Sequence, residues 1–407
     1  MQISRKLNLY EIEDLYQSLG TDSNLRLPIS MSHGGGLGVD ASLAQFIVTW
    51  ARACEKTVLH LYAPAGDDAM TQITQLAQSA SGFFALIMCS EVHAQNHQLI
   101  DRREALLAIR PLVDAMFAGD LRNTSNIRGA RPTAINLFCV NNAKREFIKP
   151  FYFDHAVPKV QPRSWFSTLL ETSSKLMNAR SGQGALLRSG LPALGSVLWE
   201  LISNADQHAV TDVGGNKYKK ALRGTSIKLN RMSRQDALMY SDQEPELARF
   251  ILKHFLRAEV LDFLEVSVID SGPGLARRWL TAKEGRPVES LEELSLEAEL
   301  EATLDCFKKH ITSKPQSPNS GMGLHNAVQA LNKLKAFVRV RTGRLSLHQA
   351  FQGSDEIMEF DPSIRYGGRV LAAVEGTVFT ICGFHAIRPP SPLSSGQAFH
   401  GHLATCS

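Results

Sequence analysis

The sequence predicts two architectures in one chain: an α/β module with a linking helix over residues 1–180, and an α+β sandwich, a mixed sheet with helices on one face, over 181–390. A flexible tail is expected at 391–407. Three observations predict this arrangement. Between residues 40 and 160 short apolar runs alternate with longer amphipathic ones, the pattern of an α/β unit. Further along, strands and helices mix without that alternation, as in α+β layers. Between the two regions lies Ser181-Gly182-Gln183-Gly184, a polar break separating two amphipathic helices.

In chain order, helices are expected at 41–54, 67–80 and 102–117, and strands at 58–62, 83–89 and 134–140. A helix at 165–179 precedes the break, and another begins at Leu186. Strands are then expected at 225–230, 263–270, 336–341 and 377–382, with helical insertions at about 233–258 and 288–310. The run Gly34-Gly35-Gly36-Leu37-Gly38 lacks the Gly-Lys-Ser/Thr ending of a phosphate-binding loop and reads as a plain loop.

Composition bounds the function without naming it. A chain of 407 residues, 44% hydrophobic and 21% charged, can bury a sizeable core. A formal net charge of +4 is too small to argue for nucleic acid or a membrane surface. The six cysteines, Cys54, Cys89, Cys139, Cys306, Cys382 and Cys406, form no C-x-x-C pair, so neither a zinc site nor a disulfide framework is signalled. Scattered thiols suit a reducing compartment. Without a signal peptide or a run of about eighteen apolar residues, a soluble, cytoplasmic protein is expected.

Four segments carry chemistry. In the first, Leu198 to Ala209, a helix at about 100° per residue gathers Leu194, Val197, Leu198, Leu201, Ile202, Ala205 and Ala209 into one apolar stripe, with Glu200 and Asn204 together beside it. Asparagine is a poor helix former, and an oxygen ligand for Mg²⁺ is one reason to place it there; a surface i,i+4 pair is the other. The second, Leu264 to Leu275, is an apolar strand that ends on Asp270 and turns through Gly272 and Gly274. Such a carboxylate can accept from an adenine amino group where glycines let backbone approach the ring, or it can cap its own turn. The third, Ile311 to Ala327, is a polar loop entering a helix through Gly321-Met322-Gly323-Leu324, an anion site by its exposed amides, with Lys314 as a cation. The fourth, Glu375 to Cys382, is a strand opened by Gly376-Thr377.

In this order and spacing the four segments resemble the N, G1, G2 and G3 boxes of the GHKL superfamily, which includes histidine kinases, MutL, gyrase B and the ninety-kilodalton chaperones, over about residues 185–385. The resemblance implies a Bergerat-type fold that binds ATP with Mg²⁺. Asn204 matches the metal-coordinating asparagine, Asp270 the adenine-binding aspartate, and Gly272 and Gly274 the purine-pocket glycines. Gly321, Met322, Gly323 and Leu324 match the phosphate-binding lid amides, Lys314 the lid lysine, and Thr377 the threonine beside adenine. Glu200 stands where several branches place the general base for hydrolysis. Slow ATP hydrolysis driving a conformational or dimerisation switch is therefore expected, with a nucleotide-dependent homodimer and a protein partner. The alternatives are a protein kinase of the histidine-kinase or anti-sigma type and a module that only binds nucleotide. None of the thirteen histidines is followed by Asp or Glu, which argues against the conventional histidine kinase. His208 reads as a helix end. The basic groups Lys217, Lys219, Lys220 and Arg223, and Arg339, Arg341 and Arg344, read as solvated surface rather than nucleic-acid contacts.

Overall fold

The computed structural model describes residues 1–30, 37–128, 131–154, 157–177, 184–239, 244–253, 260–309, 322–354 and 356–387. The glycine run at 34–36, Lys314, Gly321, Cys406 and the expected tail lie outside the described residues. The first part of the chain builds a small sheet. β1 (Asn24–Arg26), β2 (Val58–His60) and β3 (Glu91–His93) run parallel, and β4 (Leu99–Ile100) is antiparallel to β3. Parallel neighbours need crossover helices. α1 (Leu9–Leu15) precedes β1, α2 (Val39–Ala53) joins β1 to β2, and α3 (Asp67–Leu76) and α4 (Ala80–Met88) join β2 to β3.

Two expectations change here. Residues 83–89 form no strand but belong to α4, capped by Ser79, whose hydroxyl accepts from the Gly82 N–H at 3.0 Å. All nine residues of α4 are buried, and a fully buried helix has the same unbroken apolar signature as a buried strand. The expected helix at 102–117 is two, α5 (Arg102–Ala108) and α6 (Arg110–Ala118), divided at Ile109 just ahead of Pro111.

The large sheet takes strands from both halves of the chain. Its members are β5 (Ser125–Arg128), β6 (Arg131–Val140), β9 (Leu222–Ser233), β10 (Val260–Asp270), β11 (Phe337–Gly343), β12 (Leu345–Ala350), β13 (Ser363–Ile364) and β14 (Val374–Ile387). Their order is β13-β12-β11-β14-β10-β9-β6-β5. Every pairing is antiparallel, where a mixed sheet was expected. The sheet also crosses the boundary expected at residue 180, because β6 pairs with β9 from Ala134 opposite Lys228 to Val140 opposite Leu222. Between these strands lie a two-stranded ribbon, β7 (Tyr152–Phe153) and β8 (Lys159–Val160), and the helices α7 (Arg163–Met177), α8 (Gly184–His208), α9 (Arg234–Met239), α10 (Pro245–Leu252), α11 (Leu275–Glu284), α12 (Leu296–Asp305) and α13 (Gly323–Leu334). The protein is thus mixed α and β.

Helices cover both faces of the large sheet, not one. On one face Val338, Val340, Phe379 and Ile381 meet Val197 and Leu201 of α8 and Leu324 and Val328 of α13. On the other, the alternate residues Glu265, Ser267, Arg339, Arg341 and Thr380 are buried under the N-terminal half. There the Gly38 N–H donates to Glu265 Oε1 at 3.0 Å, and Arg339 donates to the Leu37 carbonyl at 3.1 Å. Residues 39–50 of α2 are buried without exception, as in a helix covered on every side. Of the residues on this sheet face, Arg339 and Arg341 read as solvated surface in the sequence. No helix among the described residues is long and apolar enough to cross a membrane.

Candidate functional site

α8 presents the stripe read from the sequence: Leu194, Val197, Leu198, Leu201, Ile202, Ala205 and Ala209 are all buried. On its flank Glu200 is buried as well, 5% exposed. Its Oε1 accepts from Asn326 Nδ2 of α13 at 3.2 Å and is ion-paired with Arg163 of α7, whose guanidinium lies over the Trp199 ring at 4.5 Å. Burial pushes the Glu200 carboxyl above the usual range, and Arg163 and Asn326 hold it back. The start of α13 rests against this carboxylate, since a Cβ on Gly323 would stand 3.0 Å from Glu200 Oε2. Asn204, one turn further along α8, is half-exposed. Its amide oxygen can serve a small hard cation that keeps most of its water and takes one or two protein oxygens. Among the described residues no cluster of three His, Cys, Asp or Glu side chains could hold a metal by itself.

α8 ends at His208, as expected, and Arg278 of α11 caps it. Arg278 donates to the carbonyls of His208 at 3.1 Å, Thr211 at 2.6 Å and Asp212 at 3.0 Å. Against this end sits the turn after β10. Asp270 Oδ1 accepts from the Gly272 N–H at 2.8 Å, and the Gly272 carbonyl accepts from Gly376 at 2.6 Å. Side chains would spoil these contacts. A Cβ on Gly272 would lie 2.8 Å from the His208 carbonyl, and one on Gly376, at φ +77°, would collide with the Asp270 carbonyl. Across the sheet Thr377 stands opposite Asp270 on one side and Thr342 on the other. Thr342 Oγ1 accepts from the Leu275 N–H at 3.0 Å and lies 3.4 Å from Thr377 Oγ1. Gly274, at φ +90°, leaves room for Thr342. Burial pushes the Asp270 carboxyl up to about 6, against the pull of the Gly272 and Thr377 amides and of Arg52 and Arg278.

α13 begins at Gly323 behind Met322, whose side chain makes no capping hydrogen bond. Its first amides are free of intrahelical partners and available to an acceptor. The Leu324 side chain points away from such an acceptor, buried against Phe307 and Phe379. The structure therefore brings Asp270, Gly272, Gly274 and Thr377 together at one end of α8, and Glu200, Met322 and Gly323 around a point about 12 Å up the helix, with Asn204 between.

Arg163, Asn326 and Thr342 belong to this region but were not singled out from the sequence, and Gly376 was named only as the opening of its strand. Asn326 carried the signal that singled out Asn204, an asparagine inside a helix; Thr342 had only its place at a strand end before a glycine.

The basic groups are a correction. Arg339 and Arg341 are not solvated but buried, paired with Glu244 and Glu13. Arg344 is paired with Glu299, and Arg223 is buried against Asp206, Glu146 and the Tyr152 hydroxyl. Lys220 donates to the carbonyls of Met88 and Cys89. Lys217 and Lys219 are exposed, as expected.

Comparison with protein-family models, with curated proteins and with solved structures gave no match. A functional reading therefore rests on the chain's own residues.

Proposed function

We propose that the chain binds ATP with Mg²⁺ along α8, on the Bergerat-type plan of the GHKL superfamily, and hydrolyses it slowly to drive a conformational or dimerisation switch. One observation carries this reading. The strand-end carboxylate Asp270, the start of α13 and the asparagine Asn204 lie along α8, Asp270 near its end, Asn204 one turn before that end and the α13 start against Glu200. In this arrangement Asp270 accepts from the adenine amino group, and Thr377 and Thr342 offer hydroxyls beside the ring. The Gly323 and Leu324 amides receive phosphate oxygens, and Asn204 contributes one oxygen to Mg²⁺. The metal, when bound, neutralises phosphate charge and orients the terminal phosphate. Glu200 takes the proton of the attacking water.

A second reading, a module that holds ATP without turning it over, is favoured by the two partners of Glu200. A carboxylate engaged by Arg163 and Asn326 has to release one of them before it can reach a water.

Phosphate release from Mg-ATP by the wild type, Glu200→Gln and Asn204→Ala, with nucleotide binding and protein-retained label followed in parallel, separates the readings. Hydrolysis predicts that Glu200→Gln keeps its nucleotide and slows release by about 10²–10⁴-fold. Binding without release by the wild type selects the holding module. Label retained on the protein selects a kinase.

A further inference from the structure

From the N-terminal half, α2 reaches the turn that carries Gly376 and Thr377. Gln45 of α2, fully buried, donates from Nε2 to the carbonyls of Arg341 at 3.0 Å and Gly376 at 3.2 Å. One turn on, Thr49 Oγ1 accepts from the Glu375 N–H at 3.0 Å. Near the end of α2, Arg52 pairs with Glu375 Oε2 at 2.7 Å, and its guanidinium lies 3.6 Å from the centroid of the Tyr218 ring. The other oxygen of Glu375 pairs with Arg277 of α11 at 2.7 Å, and Arg277 donates from Nε to the Pro273 carbonyl at 2.7 Å. Glu375 therefore joins α2 to the turn between Asp270 and Gly274, and immediately precedes Gly376 and Thr377.

These partners are not interchangeable with solvent. Arg52 and Glu375 are 17% and 20% exposed at their side chains, so the pair is more than a screened surface contact. Two further nitrogens of Arg52, Nε and Nη2, are buried with no acceptor among the described residues, so there the guanidinium is held by the Glu375 pair and the Tyr218 stack. Within an otherwise fully packed α2 this guanidinium is the least constrained contact, and a change there is felt first at the Glu375–Thr377 turn.

We propose that α2 controls the candidate nucleotide site: through Gln45, Thr49 and Arg52 it sets the Glu375–Thr377 turn, so that displacement of α2 alters nucleotide affinity and nucleotide binding alters α2. The inference rests on the ATP reading for its ligand but on the contacts above for its wiring. Glu375 and Arg52 are positioning residues, acting on the ligand through Gly376 and Thr377. Linkage makes the effect reciprocal, with couplings of about 5–150-fold being usual.

The test is hydrogen exchange by mass spectrometry on the full chain, with and without Mg-ATP, together with nucleotide affinity, for the wild type, Arg52→Met, Arg52→Lys and Glu375→Gln. Thr49→Val, a buried near-isostere, serves if Arg52→Met does not fold. Expected results are faster exchange at 270–277 and 374–377 in ligand-free Arg52→Met, with less effect in Arg52→Lys. In the wild type Mg-ATP protects 39–53 as well as the turns. Arg52→Met weakens binding about 5-fold or more, and Glu375→Gln, which also loses the Arg277 pair, weakens it further in the double variant but by less than the product of the two single effects. A merely structural role would raise exchange throughout the chain and leave affinity unchanged in the folded fraction. Nucleotide that binds and protects 270–277 but leaves 39–53 unchanged, with equal affinity in Arg52→Met, overturns the proposal. If the wild type binds no nucleotide the ATP reading falls, and unaltered exchange at 374–377 in ligand-free Arg52→Met independently overturns the wiring.

Discussion

The Asp270 carboxyl is buried at the turn that it organises, and burial pushes it up from 3.8 to about 6. Between these values the folded chain holds a proton that the unfolded chain has released. Its contribution to stability therefore falls as pH rises through that window and is least favourable above pH 6. Asp270→Asn keeps an acceptor for the Gly272 N–H and removes the charge. It is expected to raise the denaturation midpoint of the ligand-free protein at pH 7.5 and to have little effect at pH 4, as urea unfolding at the two pH values will show. A substitution that stabilises the fold while weakening binding is the mark of a residue retained for a ligand. At this scale the sequence was legible where a residue sat oddly in its own element: an asparagine inside a helix, an acid ending an apolar strand. Arg163 and Thr342 were not, because what distinguishes them is a neighbour from a distant part of the chain.

Among elements, α8 is the scaffold, and two of its contacts show how it is held. Arg278 caps its carbonyl end. Near its middle, Gly195 lets α7 pass so close that a Cβ there would stand 2.7 Å from the Ser167 amide. Helix propensity favours Gly195→Ala by roughly 1 kcal/mol, but overpacking costs about 1–3 kcal/mol, so a net loss of about 1 kcal/mol is expected in guanidinium unfolding. A gain in stability would mean that the two helices are free to part. Helix and strand periods were readable for most elements, and α2, α7, β9, β10 and β14 lie where the pattern put them. α4 did not follow, because a segment buried on every side has no polar face to reveal its period. Its cap residue Ser79 was the one local sign.

For the whole molecule, the two parts expected from the sequence share one sheet and one buried layer. β6 completes the sheet beside β9, and α2 covers the face that carries Glu265, Arg339 and Arg341. Arg339 and Arg341 read as solvated because they are basic; the face is buried because Glu13, Glu244, Lys228 and backbone groups satisfy its polar groups. A fragment of residues 181–390 would expose these charges and an unpaired strand edge. It is expected to show no cooperative unfolding transition, whereas the full chain unfolds cooperatively; circular dichroism of both on heating checks this. The central claim is that the flank of α8 is a nucleotide site, and calorimetric titration of the full chain with ATP, in the presence and absence of Mg²⁺, tests it most directly. Saturable binding is expected for the wild type, weakened about 10–150-fold in Asp270→Asn and stripped of its Mg²⁺ dependence in Asn204→Ala. A folded wild type that gives no binding heat and no thermal shift at millimolar ATP would contradict the claim.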